Sequence, residues 1–426
     1  MSRLKAALVL ALLTVGVAGC GSSNSGSSGG SATSAAAATS SAAATSSAAA
    51  TSSSGGSTAA SGSPIKIGAV IDETGVMKPT DEPALWGAQL EIKKINAQGG
   101  VNGHKLEMTV LNDQLNPGQT SSDAIKTVSG GANVLWVTCD VDFSTPSIQV
   151  GLSHKLLTVS PCIGTDQMGP KRFGGAGSLA FSFGNVAQDE GAADAQIAIK
   201  QGWKTADVAV DKQIVYNQDT CKAFETKFQA LGGKLVDTET WTQGDHTVGD
   251  VANHINSAKA DVIMVCTTGA PDIATLLSGV RSSGNQTPFL APWSLDGTYW
   301  MPKSPKIATN VWTDSYASVY GDDPSSAVRN MIGQLKSEGH TVVTGGFVTG
   351  AAAIDGIVAA IKQTGGSTDG AKLATAIQAF KNLPTISGNV SFSSSLHTVS
   401  GRSYRVLEVT NGVGHFKYLI NAEGKS

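Results

Sequence analysis

The sequence predicts an α/β protein built as two doubly wound parallel-sheet lobes. Three observations carry this. Short β-rich runs alternate with helix-length segments of 3.6-residue apolar period. The alternation stops after Ser160 and restarts near Asp189. The region from Pro64 to Ser426 exceeds what one hydrophobic core usually supports.

Each element has its own signal. Ile65 to Ile71 is a β-rich run, and Pro83 to Ala97 follows with Leu85, Ala88, Ile92 and Ile95 on one helical face. Gly99-Gly100 stops that helix, and Val101-Asn102-Gly103 turns the chain into a strand over Lys105 to Leu111. A helix is predicted over Gly118 to Ser129, a strand over Val134 to Thr138, a helix over Ser147 to His154 and a strand over Leu156 to Ser160. After the restart come helices at Asp189 to Gln201, Asp219 to Leu231, Val248 to Ser257 and Ile273 to Ser283. Strands are predicted at Ala206 to Val210, Lys234 to Thr238, Val262 to Cys266 and Pro288 to Ala291. Such alternation makes βαβ units and parallel sheets covered on both faces. Ligands of such sheets sit beyond the carboxyl ends of the strands, so two facing lobes make a cleft lined by strand-end loops.

The chain start reads as an export signal. Arg3 and Lys5 precede the apolar run Ala6 to Gly19, which is too short to span a bilayer comfortably. It ends in Val17-Ala18-Gly19-Cys20, which resembles a bacterial lipobox with Cys20 as the lipidated residue. An ordinary secretory signal with a chance cysteine is the alternative. Residues 21–63 are almost only Ser, Ala, Gly and Thr and read as a tether that cannot offset its ordering entropy. Without Arg3 and Lys5, the 30 basic residues become 28 against 33 acids, a formal charge of −5. No basic run interleaves with aromatics, which speaks against a nucleic-acid partner. Cys139, Cys162, Cys221 and Cys266 remain, and an even number in an exported chain suggests two disulfides with three possible pairings. Cys139 and Cys162 end successive strands, while Cys221 and Cys266 fall in the other lobe, which favours Cys139–Cys162 and Cys221–Cys266. Buried free thiols are the alternative.

Catalytic spacing is missing from the folded region. It has no Gly-x-Ser-x-Gly elbow, phosphate loop or His-Glu-x-x-His, and the seven histidines are scattered. The reading is therefore no enzyme, no metal and no cofactor.

Several segments, in order, resemble the leucine/isoleucine/valine-binding proteins of ABC importers and their type I periplasmic-binding fold. They are Ile65-Lys66-Ile67-Gly68-Ala69-Val70, Ile95-Asn96-Ala97-Gln98-Gly99-Gly100-Val101-Asn102-Gly103, Asn112 to Pro117 and Leu156 to Pro161. Tyr404 to Leu419, around Asn411-Gly412, resembles the family's closing hairpin. The resemblance implies three hinge crossovers, a first lobe of residues 64–185 and 316–396, and a second of 186–315 and 397–426. It implies a monomeric extracytoplasmic receptor, held to the membrane only by its lipid. Such a receptor passes a small ligand to an ABC permease whose ATPase subunits are separate chains. A sensory lipoprotein presenting its closed form to a signalling receptor is the alternative.

The resemblance also implies a ligand site. Ser144 and Thr145, before Pro146 and a helix start, would meet a carboxylate, and Thr165 matches the next cleft loop. In lobe two Tyr216, Thr268 and Trp293 match ligand-facing loops, and Asp296 is the nearest acid for an ammonium group. The first cleft loop departs from the family, with Met77 and Lys78 in place of small residues. Lys78 and the indole of Trp293 shift the expected ligand toward an aromatic or other organic acid.

Overall fold

The first lobe is built on an inner strand whose carboxyl half is buried on both faces. In the computed structural model, which describes residues 61–426, β1 (Gly62–Ile71) buries Ile65, Ile67, Ala69, Val70 and Ile71. Cys20 and the Ser/Ala/Gly/Thr run through residue 60 lie outside the described residues. A strand covered on both faces is apolar along its length because side chains on either side meet helices. α1 (Lys78–Ala97), β2 (His104–Asn112), α2 (Pro117–Ser129), β3 (Val134–Val137), α3 (Val141–Ser153), β4 (Leu157–Ser160), the short α4 (Pro170–Phe173) and β5 (Ala180–Asn185) follow. α2 shows the local logic plainly. The Asn116 side chain accepts from the Gly118 and Gln119 N–H groups, and Pro117 fills the first helical position, where a missing N–H costs nothing.

The second lobe repeats the scheme with α5 (Ala187–Lys200), β6 (Thr205–Asp211), α6 (Val215–Ala230), β7 (Lys234–Trp241), α7 (Val248–Ala258), β8 (Val262–Cys266), α8 (Ala270–Ser282), β9 (Phe289–Ala291) and β10 (Val311–Ser315). The chain then returns with α9 (Ser326–Ser337), α10 (Phe347–Gln363), α11 (Gly370–Gln378), the small hairpin β11 (Leu383–Thr385) and β12 (Gly388–Val390), and β13 (Thr398–Val399). It ends in the hairpin β14 (Tyr404–Thr410) and β15 (Val413–Ile420), turned by Asn411 and Gly412, both at positive φ. The first sheet has the order β13-β5-β4-β3-β1-β2, and the second β15-β14-β10-β9-β8-β6-β7. All pairings in the first are parallel, and β14 and β15 form the antiparallel edge of the second. The chain thus passes between sheets after Asn185, after Ser315 and between Val399 and Tyr404. The expected boundary at His397 falls short of this last crossing, because Thr398 and Val399 still pair with β5.

These crossings meet at one side chain. Arg402, buried on the third, donates to Asn185 Oδ1 at 2.7 Å, to Phe183 O at 2.8 Å and to Ser387 Oγ. Its guanidinium lies 5.1 Å from the ring centre of Tyr316, which sits on the second crossing. The Tyr316 hydroxyl accepts the Asn185 N–H at 2.9 Å.

α1 and α10 cross closely over the first sheet. A Cβ on Gly87 would overlap the Phe347 carbonyl oxygen, and one on Gly350 that of Ala84. Two disulfides are formed: Cys139–Cys162 joins the segments after β3 and β4, and Cys221–Cys266 pins α6 to the end of β8, with Cα–Cα distances of 4.8 and 5.9 Å. The separations of 23 and 45 residues correspond to about 3–4 kcal/mol each in the chain-entropy account. Among the described residues no helix is long and apolar enough to cross a membrane.

Candidate functional site

The carboxyl ends of the two sheets face each other, and buried aspartates shape the loops there. Asp72, just past β1, accepts the N–H groups of Thr74, Gly75 and Met77 at 3.0, 2.6 and 3.0 Å, folding the loop back so that Met77 enters the cleft. Asp81 on α1 accepts from Asp72 N at 3.0 Å, from Cys139 N at 2.8 Å and from the Thr138 hydroxyl, tying β1 to β3. Burial pushes its carboxyl up to about 7. Asp140 caps α3, with Oδ1 accepting the N–H groups of Asp142 and Phe143 at 2.8 and 3.0 Å. Burial raises it to about 7 as well. The Ser160 hydroxyl donates to Thr138 O at 3.1 Å and accepts from Ile163 N at 3.2 Å, turning the chain after β4 so that Cys162 and Gly164 reach the cleft.

In lobe two Asp211 does the corresponding work. It accepts from Gln213 N, Gln243 N and the Thr267 hydroxyl at 3.0, 3.1 and 2.9 Å. The Ser294 hydroxyl donates to Thr267 O at 2.9 Å, which joins the loops carrying Thr268 and Trp293. Behind them lies a buried acid cluster. Glu190 Oε1 accepts from the Tyr216 hydroxyl at 2.9 Å and from Trp293 N at 2.8 Å. Burial raises Glu190 to about 8 and drives Asp194 and Asp314 well above the usual carboxylate range. Burial of three carboxyls together favours their neutral forms, and Glu190 can pair with Asp314 only when one carries the proton. The cluster fixes the backs of Tyr216 and Trp293, leaving their other faces to the cleft.

Between these loops lies a tight cavity of about 10 Å³, room for about one water molecule with the lobes in this arrangement. Its walls come from both lobes: Met77, Thr80, Asp140, the Cys139–Cys162 disulfide and Gly164 on one side; Ile214, Tyr216, Thr268, Trp293 and Ser294 on the other. Across its rim the lobes touch. Asp142 Oδ2 accepts the Val215 N–H at the start of α6 at 2.8 Å, while Oδ1 holds Arg172 at 2.6 Å. Thr165 donates to Asp219 at 3.2 Å. Four larger hollows, among them those along β2 and α2 and along α5 and α6, each use a single lobe.

Of the residues expected at the site, the structure brings Met77, Tyr216, Thr268 and Trp293 together in this cavity. Five do not line it. Ser144 and Thr145 are not at a helix start: α3 begins at Val141, capped by Asp140, and both hydroxyls are spent on the carbonyls of Asp140 and Val141. The helix absorbs Pro146 in its second turn, losing only one internal hydrogen bond. Thr165 lies behind Gly164, with its carbonyl bound by Thr398 at 2.7 Å. Asp296 points away, accepting from the Ser315 hydroxyl at 2.6 Å and Gly345 N at 2.9 Å. Lys78 is half exposed and pairs with Glu82 one turn along α1 at 3.4 Å. No Lys, Arg or His lines the cavity, so the side chain expected to meet an organic anion is not there to do so. Asp140, Thr80, Ile214 and the disulfide were not read as cleft residues. The one available signal was Asp140 directly after a strand-end cysteine, in N-cap position.

Comparison with known proteins agrees with this architecture. The periplasmic binding protein family matches residues 64–413. A Leu/Ile/Val-binding protein of Rhizobium johnstonii is 23% identical over 331 residues, covering 76% of this chain and 86% of its own. A branched-chain amino acid substrate-binding protein of Streptococcus pneumoniae, solved with isoleucine, superposes with TM-score 0.71 at 16% identity, over 84% of this chain and 98% of its own. A solute-binding protein of R. palustris, solved with benzoate, gives TM-score 0.69 at 19% identity, over 84% and 96%. At such identities the solved structures speak for the fold alone. With the family match spanning most of the sequence, the chain belongs to the periplasmic binding protein family.

Proposed function

We propose that this protein is a lipid-anchored receptor that captures a small solute between its lobes and hands it to a separate ABC permease. The observation that carries the reading is the cavity walled by residues of both sheets. A solute bound there contacts lobe one and lobe two together only when the lobes are closed. It therefore favours the closed form, since a ligand shifts an equilibrium only by its differential affinity for the two states. Three chain crossings joined at Arg402 confine the motion to a hinge. The walls set the apolar surfaces of Met77, Trp293 and the Tyr216 ring against a solute, and admitting one requires the lobes to part from this tight arrangement. The names of the relatives, which include Leu/Ile/Val-binding proteins and a benzoate complex, support the transport role and span more than one ligand chemistry. The Cys20 motif supports the anchor, with diacylation and a tether holding the lobes outside the membrane.

Native mass spectrometry of freshly purified protein tests the reading, because a retained solute adds a discrete small mass that denaturation releases unchanged. A solute released in chemically altered form would point to turnover instead. Replacing Cys20 by Ala should move the protein from the membrane to the soluble fraction.

A further inference from the structure

Resting on that reading, we propose that the solute presents a protonated amine to lobe one, with the free oxygen of Asp140 as its counter-charge. Four observations converge on this. Asp140 is only 3% exposed, yet it lines the cavity. Its Oδ1 is spent on the Asp142 and Phe143 N–H groups, while Oδ2 accepts no hydrogen bond from any described residue and is not sealed away. A carboxylate oxygen so placed, with no donor from the protein, is matched by a donor on the bound solute. The same capping removes the alternative. The N–H groups at the start of α3 are the donors that would otherwise bind an anion, and Asp140 already occupies them.

The cavity also supplies no positive side chain against an incoming carboxylate. The nearest guanidinium, Arg172, is engaged by Asp142 at 2.6 Å and Gln167 at 3.1 Å and does not line the cavity. An anionic group on the lobe-one side would face Asp140 with nothing between them. The opposite wall offers the Trp293 and Tyr216 rings, which attract ammonium groups, and the unpartnered Trp293 Nε1–H, which would meet an acceptor elsewhere on the same solute. Burial, and after it the charge of neighbouring Asp142, pushes Asp140 toward its neutral form; a cation within hydrogen-bond reach returns it to the charged form, which strengthens the contact.

The test uses matched probes on the full-length folded protein after removal of co-purified solute. Benzylamine and isobutylamine are compared with benzoate and isovalerate, and with the zwitterions phenylalanine and leucine, by thermal shift and titration calorimetry. The amines should raise the melting temperature and the carboxylates should not. Asp140→Asn keeps the α3 cap but loses the charge, and should weaken amine binding about 100-fold. Circular dichroism of the variant shows whether it is folded, and Asp140→Ser gives a second neutral cap if it is not. A zwitterion shift that vanishes in Asp140→Asn supports the proposal; one that survives overturns it. Stabilisation by the carboxylates without the amines, amine binding unchanged in the variant, or no response to any probe would also overturn it. The wider reading is judged separately, by whether the co-purified solute compacts the protein in solution.

Discussion

Gly164→Ala is a one-atom test of lobe closure. Gly164 belongs to lobe one, and a Cβ placed on it would lie 2.8 Å from two carbons of the Tyr216 ring and 3.3 Å from Asn185 O. Carbon atoms rest at about 3.5–4.0 Å, so the ring would have to retreat by roughly an ångström. It cannot retreat freely, because its hydroxyl is held by Glu190 at 2.9 Å and its back is buried. Overpacking of this kind costs about 1–3 kcal/mol. Most of that cost falls on the closed form, where Tyr216 meets Gly164; the 3.3 Å approach to Asn185 O lies within lobe one and is present in both forms. About 1.4 kcal/mol is tenfold in an equilibrium constant, so affinity for the co-purifying solute should fall by about 5- to 150-fold. The melting temperature of the solute-free protein should barely move. Calorimetric titration of solute-stripped protein, with a thermal melt beside it, makes the measurement. An unchanged affinity, or a lowered melting temperature with affinity intact, would refute the reasoning.

Three further predictions follow from the same contacts. Arg402→Met strips donors from two buried acceptors, Asn185 Oδ1 and Phe183 O, and should cost about 3 kcal/mol in urea unfolding; Arg402→Lys should not rescue it, because a single ammonium cannot reproduce the fork. Gly350→Ala drives α10 against the backbone of α1 and should destabilise by about 1–3 kcal/mol, whereas Gly333→Ala on exposed α9, with open space around it, should be neutral or slightly stabilising. Stability should also fall as pH rises from about 4 to 8. Asp81, Asp140 and Asp296 are raised to about 7 and Glu190 to about 8, so across that window the folded protein holds protons that the unfolded chain has already lost. The melting temperature should be several degrees higher at pH 5 than at pH 8; a rise toward pH 8 would contradict the burial of these carboxyls.

The alternation of strands and helices was legible because buried parallel strands announce themselves locally: Val134–Val137 and Val262–Cys266 are unbroken apolar runs. β5 escaped because Ser182, Gly184 and Asn185 break the apolar run of Ala180–Asn185 and a glycine-rich turn precedes it, though all six residues are buried. Pro146 misled the reading of α3. Proline favours a first helical position, but Asp140 is the stronger start signal and the helix tolerates the ring. Four cleft residues could be placed from the family likeness because they sit on strand-end loops. Asp296 could not, since its partners Ser315 and Gly345 lie far along the chain and turn it away. The role of Asp140 was equally hidden. A capping aspartate is commonplace, and only the apposition of the second lobe encloses its free oxygen.

Small-angle X-ray scattering of stripped protein, before and after adding back the solute identified by native mass spectrometry, tests lobe closure most directly. The account predicts a smaller radius of gyration on addition, and a weaker response at the same concentration in Gly164→Ala. Identical scattering curves with and without bound solute would contradict it.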